Sequence, residues 1–203
     1  MKVYELRRAP NARRVRMFLA EKGIEMEYQQ VDLGAGENLA PAFFLTKNPT
    51  GRIPVLELDD GTCLSETLAI YRYFEELHPE PNLFGSTALE RATIEMWSRF
   101  IEFNLWLPTG MAFRHITGFY KDRERVFPEW GEECKQQAQI WFDKLDARLA
   151  EVPYIAGERF TIADILALCT IDFGKVVGLR ITPEQPHLQD WHERVSARSS
   201  AQA

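Results

Sequence analysis

Apolar residues are spaced in two different ways along the chain, and the change falls near residue 80. Before it, short apolar runs alternate with helical patterns. Lys2 to Leu6 reads as a short strand, and Ala9-Pro10-Asn11 as a turn with proline near a helix start. Ala12 to Lys22 then reads as a helix. Its stripe is Val15, Phe18 and Leu19, Arg13, Arg14 and Arg16 lie elsewhere around it, and Gly23 ends it. Tyr28 to Leu33 predicts a second strand with Val31 and Leu33 on one face. A loop follows over 34–38, then a short helix from Leu39 to Thr46. Val55, Leu56 and Leu58 predict a buried strand, Asp60-Gly61 a hairpin turn, and Cys63-Leu64 the return strand. Leu68, Tyr71, Phe74 and Leu77 recur at helical spacing after Ser65-Glu66-Thr67. This β-α-β-α-β-β-α order predicts a mixed sheet with helices on both faces.

His78-Pro79-Glu80-Pro81-Asn82 is too rich in proline to continue a helix. Beyond Ser86 no strand pattern appears. A helix is predicted from Ala88 to Leu107, kinked or split by Pro108 and Gly110, with a second segment to about Phe119. Lys121 to Gly131 is a polar connector, and Glu132 to Ala150 a helix with Ala138, Trp141-Phe142, Leu145 and Leu149 at helical spacing. Phe160-Thr161-Ile162-Ala163-Asp164-Ile165 combines a capping box, Thr161 with Asp164, and a hydrophobic staple, Phe160 with Ile165; its role is folding. A last short helix carries Leu188, Trp191 and Val195, and Ser196 to Ala203, small and polar, is expected to fray. The boundaries are 1–79 for an α/β domain, 80–85 for a linker and 86–203 for an all-helical domain.

Composition narrows the classes of function. A hydrophobic content of 45% supports a real core, and a net charge of −6 with pI near 5.4 disfavours nucleic acid as partner. The start has no signal-peptide run, and no segment approaches the length of apolar chain that spans a membrane. The three scattered cysteines, Cys63, Cys134 and Cys169, fit a reducing cytoplasm better than a disulfide framework. Of the four histidines only His187 and His192 are close, at a spacing that does not share a helix face, so no metal site is expected. No phosphate loop or dinucleotide fingerprint occurs, so no nucleotide cofactor is expected.

The chemistry gathers between Asn48 and Leu77. Pro54 cannot donate to a ladder and therefore belongs at a strand's first residue or an edge. A cis Ile53-Pro54 bond would turn the main chain of Ile53 outward, where an extended peptide pairs like an added strand. The helix N-terminus at Thr67 presents unpaired N–H groups suited to a carboxylate, and Glu66 beside it can accept from an ammonium. The plain alternative for Glu66-Thr67 is an ordinary N-cap with an acid in the first turn. One small ligand with peptide groups, a carboxylate and an amine would use all three features.

Ile53-Pro54, the hairpin and Glu66-Thr67 resemble the glutathione-binding pattern of the cytosolic glutathione transferase family. The family's pattern ends in Glu/Gln-Ser, and Thr67 keeps the hydroxyl. The Thr161–Asp164 box matches that of the family's helical domain, so the resemblance covers about residues 1–195. It implies a thioredoxin-like N-terminal domain with a mixed four-stranded sheet followed by an all-α domain. It also implies a cytoplasmic homodimer that activates the thiol of glutathione against a small hydrophobic electrophile, a detoxification chemistry. The ligand contacts it implies are Arg52, Ile53, Pro54, Glu66 and Thr67, with Phe103, Leu107, Met111 and Arg114 against the electrophile.

The sulfur-activating group is less settled. The serine-type position of the family falls on Ala9, which has no hydroxyl, and the cysteine-type position on Pro10 or Asn11. The tyrosine-type position falls near Glu5, with Tyr4 on the opposite face of the strand. Asn11 and Tyr4 are the candidate catalytic residues, with Asn11 as a helix N-cap the bland alternative; Arg7 and Arg8 are either solvated charges or place one cation in the cleft to favour thiolate or an acidic substrate. Two rivals stay open: a glutathione-dependent peroxidase or disulfide reductase of the same fold, and a non-catalytic glutathione or hydrophobe binder or interaction module.

Overall fold

Four short strands pair in the order β2-β1-β3-β4, where β1 is Lys2–Glu5, β2 Glu27–Gln30, β3 Val55–Glu57 and β4 Cys63–Ser65. β1 and β2 run parallel with Glu5 opposite Gln30; β3 is antiparallel to both β1 and β4, with Val55 between Tyr4 and Ser65. The computed structural model describes residues 1–203. They fall into two compact units, Met1–Asn82 with Ser199–Ala203, and Leu83–Arg198.

In the first unit, α1 (Pro10–Glu21) and α3 (Thr67–Leu77) pack together, Phe18 of α1 stacking on Tyr71 of α3 with centroids 4.3 Å apart. Val3, Val15, Leu56, Ile70 and Phe74 are fully buried. Alternation along β1 sends Tyr4 to a second cluster with Val31, Leu33, Phe43, Ile53 and Val55. Phe43 comes from the short helix α2 (Pro41–Phe44), which meets the Tyr4 ring edge-on at 5.7 Å.

Several expectations change here. α1 begins at Pro10, so Asn11 lies inside its first turn and Ala9 is the N-cap. β2 ends at Gln30; Val31 and Leu33 lie beyond the ladder but are still buried. Arg14 and Arg16 are buried, although helical spacing set them apart from the apolar stripe. The tail does not fray. Ser199–Gln202 forms a 3-10 turn with Ser200 and Ala201 buried, and Arg13 of α1 donates to the Ala201 carbonyl at 3.2 Å.

The second unit is all helical: α4 (Ala88–Ile101), α5 (Leu107–Thr117), α6 (Pro128–Leu149), α7 (Ile162–Gly174) and α8 (Pro186–Ser196). The break expected at Pro108 and Gly110 is displaced. A π-helical turn over Glu102–Trp106 joins α4 to α5, and Pro108 sits in the first turn of α5. Proline has no N–H for the carbonyl four residues back and its ring crowds that carbonyl. A local i+5 register ahead of Pro108 accommodates both effects without ending the helix.

α7 is buried nearly all round, as a central helix should be. Its capping box is formed: Thr161 caps, and the Asp164 carboxylate accepts from the Thr161 N–H at 2.9 Å. Asp164 also accepts from the Ile155 N–H and from the Trp191 indole, so one buried carboxylate ties α7 to the 155 loop and to α8.

Candidate active site

Strand pairing brings three chain segments to one end of the sheet. Because Tyr4, Val55 and Ser65 lie side by side, the end of β1, the residues just before β3 and the residues just after β4 share that end. These are the β1–α1 loop with Asn11 beyond it, the Ile53-Pro54 dipeptide, and Glu66 with Thr67. The residues that sequence reasoning placed together are therefore neighbours by topology.

The Ile53–Pro54 peptide bond is cis. Ile53 buries its side chain in the Tyr4 cluster, while its main chain lies ahead of the ladder and joins no turn or loop hydrogen bond. Two buried asparagines, neither among the candidate site residues, hold the approach to it. The Asn48 side chain donates to the Arg52 carbonyl at 2.8 Å and accepts from the Thr50 N–H at 2.9 Å. The Asn38 side chain donates to the Gly51 carbonyl at 2.6 Å. Gly51 has φ +61°, and a Cβ there would lie 3.0 Å from the Leu39 side chain and 3.2 Å from the Asn38 carbonyl. Turn-forming Asn48-Pro49-Thr50-Gly51 is the only mark of this loop in the sequence. Arg52 exposes its side chain beside this loop.

Glu66 is the one non-glycine residue with positive φ, at 71°. A side chain in that region costs on the order of 1 kcal/mol or more. It is the N-cap residue of α3 yet makes no side-chain cap bond, so the first N–H groups of α3 have no side-chain cap, and the exposed Glu66 carboxylate lies beside them. Thr67, half-buried, opens the helix.

At β1 both residues at the tyrosine-type position, Tyr4 and Glu5, are committed elsewhere. The Tyr4 hydroxyl donates to Glu57 Oε2 at 2.6 Å, and Lys47 pairs with the same carboxylate at 2.7 Å. The Lys47 ammonium and the Tyr4 hydroxyl hold the Glu57 carboxyl below the usual range. Glu5 is buried against Arg16 at 2.5 Å and accepts from Gln30 at 3.0 Å. Asn11 has a buried side-chain oxygen with no protein partner, and α1 has no side-chain cap at Ala9.

In the helical unit, Phe103 and Leu107 are exposed and Met111 is half-buried. They recur every four residues through the π-helical turn into α5. Arg114, one turn further, donates to Glu124 at 2.7 Å and lies 4.7 Å from the Tyr120 ring centre. No group of three His, Cys, Asp or Glu side chains is placed to hold a metal ion, and no helix is long and apolar enough to cross a membrane.

Comparison with known proteins places the chain among relatives over nearly its whole length. Residues 1–76 match the model of the glutathione S-transferase N-terminal domain, and residues 109–199 that of the C-terminal domain. Glutathione S-transferase 2 of Saccharomyces cerevisiae is 35% identical, the match spanning 98% of this chain and 87% of that protein. A glutathione S-transferase domain-containing protein of Marinobacter aquaeolei superposes with a TM-score of 0.94 at 38% identity, covering 98% of this chain and 99% of the other. Gtt2 of Saccharomyces cerevisiae superposes with a TM-score of 0.94 at 33% identity, covering 100% and 99%.

Proposed function

This chain belongs to the glutathione S-transferase family, and we propose that it is a glutathione transferase whose first unit binds glutathione and activates its thiol. The observation that carries this reading is the meeting, at one sheet end, of an unpaired main chain at Ile53 with the uncapped N-terminus of α3. The main chain of Ile53 pairs with the central peptide of the ligand. The α3 N–H groups and the Thr67 hydroxyl take one carboxylate, Glu66 takes the ammonium, and Arg52 takes the glycyl carboxylate.

A thiol of pKa about 8.5 is a few per cent ionised at neutral pH, and a helix N-terminus lowers it. We assign that role to the α1 N-terminus with the Asn11 side-chain amide, since the Tyr4 proton is given to Glu57. The thiolate then attacks the electrophilic carbon of the second substrate, forming the C–S bond as a leaving group departs or a double bond shifts its electrons. For that hydrophobic substrate we propose Phe103, Leu107 and Met111, with Arg114 at the end of the stripe.

Residues 1–79, joined by the 199–203 tail, act as the glutathione domain and 86–198 as the helical domain, in a homodimer that removes electrophiles in the cytoplasm. That Cys63, Cys134 and Cys169 form no disulfide supports a reducing compartment. Light scattering of the purified protein tests the dimer and cell fractionation the compartment. Calorimetric titration with glutathione, followed by conjugation assays against aryl halides and enones, tests the function: no binding at millimolar glutathione rejects it. The Asn11-type turn at the start of α1 favours a second reading, a glutathione-dependent peroxidase or disulfide reductase. Peroxide and mixed-disulfide assays run in parallel separate the two.

A further inference from the structure

The loop from Leu6 to Ala9 carries no side chain assigned to chemistry, yet the α1 N-terminus hangs from it. Within it, Arg7 exposes its side chain. Its main chain is held at both ends. The Arg7 N–H donates to Gln30 Oε1 at 2.8 Å, and the Arg7 carbonyl accepts from Arg16 Nη2 at 2.7 Å.

The two holders are themselves joined. Gln30 Nε2 donates to Glu5 Oε1 at 3.0 Å, and Arg16 Nη1 donates to Glu5 Oε2 at 2.5 Å. Glu5, Arg16, the Arg7 main chain and Gln30 thus form a closed ring of four hydrogen-bonded links. Parallel register sets Gln30 opposite Glu5, and α1 brings Arg16 over the same carboxylate. Arg16 Nε also donates to the Ala203 carbonyl at 3.2 Å, so every edge of the guanidinium is engaged. A buried ion pair of this quality is poor evidence for stability alone, because desolvating both charges costs about what their attraction returns. It does fix a unique geometry.

We propose that Arg16 and Gln30 are positioning residues for thiol activation: by clamping both main-chain groups of Arg7 they hold the β1–α1 loop, and with it the N–H groups at the start of α1, against the glutathione sulfur. This rests on the glutathione-transferase reading above. Electrostatic stabilisation of a thiolate needs donors that are already in place, and a displacement of less than an ångström weakens it. The clamp touches neither the Ile53 main chain nor the α3 N-terminus. Its loss therefore changes the ionisation of the bound thiol and leaves ligand affinity alone.

The test compares the parent with Gln30→Leu, an exposed strand-end change that frees the Arg7 N–H, and with Glu5→Leu/Arg16→Met, which removes both charges together. Bound-thiol pKa is read from thiolate absorbance against pH with reduced glutathione, and affinity from calorimetry with S-methylglutathione, which has no ionisable sulfur. In both variants the bound-thiol pKa rises by about half to one unit and kcat near pH 6.5 falls about three- to tenfold. KM for glutathione and S-methylglutathione affinity stay within about twofold. If the double variant does not fold, Gln30→Leu alone decides. A folded Gln30→Leu with the parent's thiol pKa and pH profile overturns the proposal, as does a raised KM with unchanged kcat. A parent that binds no glutathione overturns the functional reading itself, a different result from a parent that binds and variants that do not differ.

Discussion

Asn38 reaches across 13 positions of chain to donate its side-chain amide to the Gly51 carbonyl at 2.6 Å, and both residues are buried. The bond holds the turn that delivers Ile53. Asn38→Ala leaves that carbonyl unpaired out of water, which costs about 1 to 3 kcal/mol. Urea unfolding should show a loss of that size, and calorimetry should show glutathione binding weakened at a temperature where the variant is folded. Unchanged affinity in a destabilised variant would mean that the turn is held by Asn48 alone.

Glu66 combines positive φ with a carboxylate next to the mouth of α3. Glycine adopts that backbone without penalty, so Glu66→Gly should stabilise the folded protein by about 1 kcal/mol. The same change removes the ammonium acceptor and should raise KM for glutathione about tenfold or more. Opposite signs for stability and binding are the expected pair of results. A variant that gains stability and keeps its KM removes Glu66 from the ligand.

Burial raises the Asp164 carboxyl from 3.8 to about 6, against the donors from Ile155, Trp191 and Thr161. The folded protein therefore keeps this proton to about pH 6 while the unfolded chain releases it near 3.8. Between those values the folded state binds more protons, so this group's contribution is greatest at low pH, falls as pH rises toward 6, and is level above. Asp164→Asn turns one acceptor into a donor facing buried N–H groups and should cost about 2 to 4 kcal/mol at pH 7. The gap between parent and variant should widen as pH falls from 6 to 4.5. Denaturant curves at both pH values measure it, and a narrowing gap would mean that the hydrogen bonds outweigh burial.

Two helical glycines should respond oppositely to alanine. A Cβ on Gly110 in α5 meets nothing within 4 Å, whereas one on Gly131 in α6 would stand 2.9 Å from Ile116 Cγ1 and 3.0 Å from the Ile116 N. Gly110→Ala should stabilise by up to about 1 kcal/mol through helix propensity. Gly131→Ala must push α5 away from α6, an overpacking cost of about 1 to 3 kcal/mol that exceeds the same propensity gain. Thermal unfolding of the two single variants checks both signs.

The loop anchors, the π-helical turn and the tail show why part of this protein could not be read in advance. Asn38 and Asn48 look like surface residues but are buried, because their partners are main-chain groups that folding brings close. Arg14 and Arg16 fall off the apolar stripe of α1 and are buried all the same. The tail over 199–203 is short, small and polar, and it is held at Ala201 by Arg13 and at Ala203 by Arg16 of α1, more than 180 positions away.

The sequence by itself determined the switch from alternating strand and helix signals to helix alone, the mixed four-stranded sheet, and the capping box of Thr161 and Asp164. Each is written in residues close together, where side-chain period and turn chemistry act directly. Tertiary structure decided which polar side chains go inside, where Ile53 and Glu66 stand relative to the start of α1, and which group holds the Arg7 main chain. Those outcomes depend on pairing between distant segments, and a hydrogen bond formed only after strands and helices are docked leaves no periodic mark along the chain.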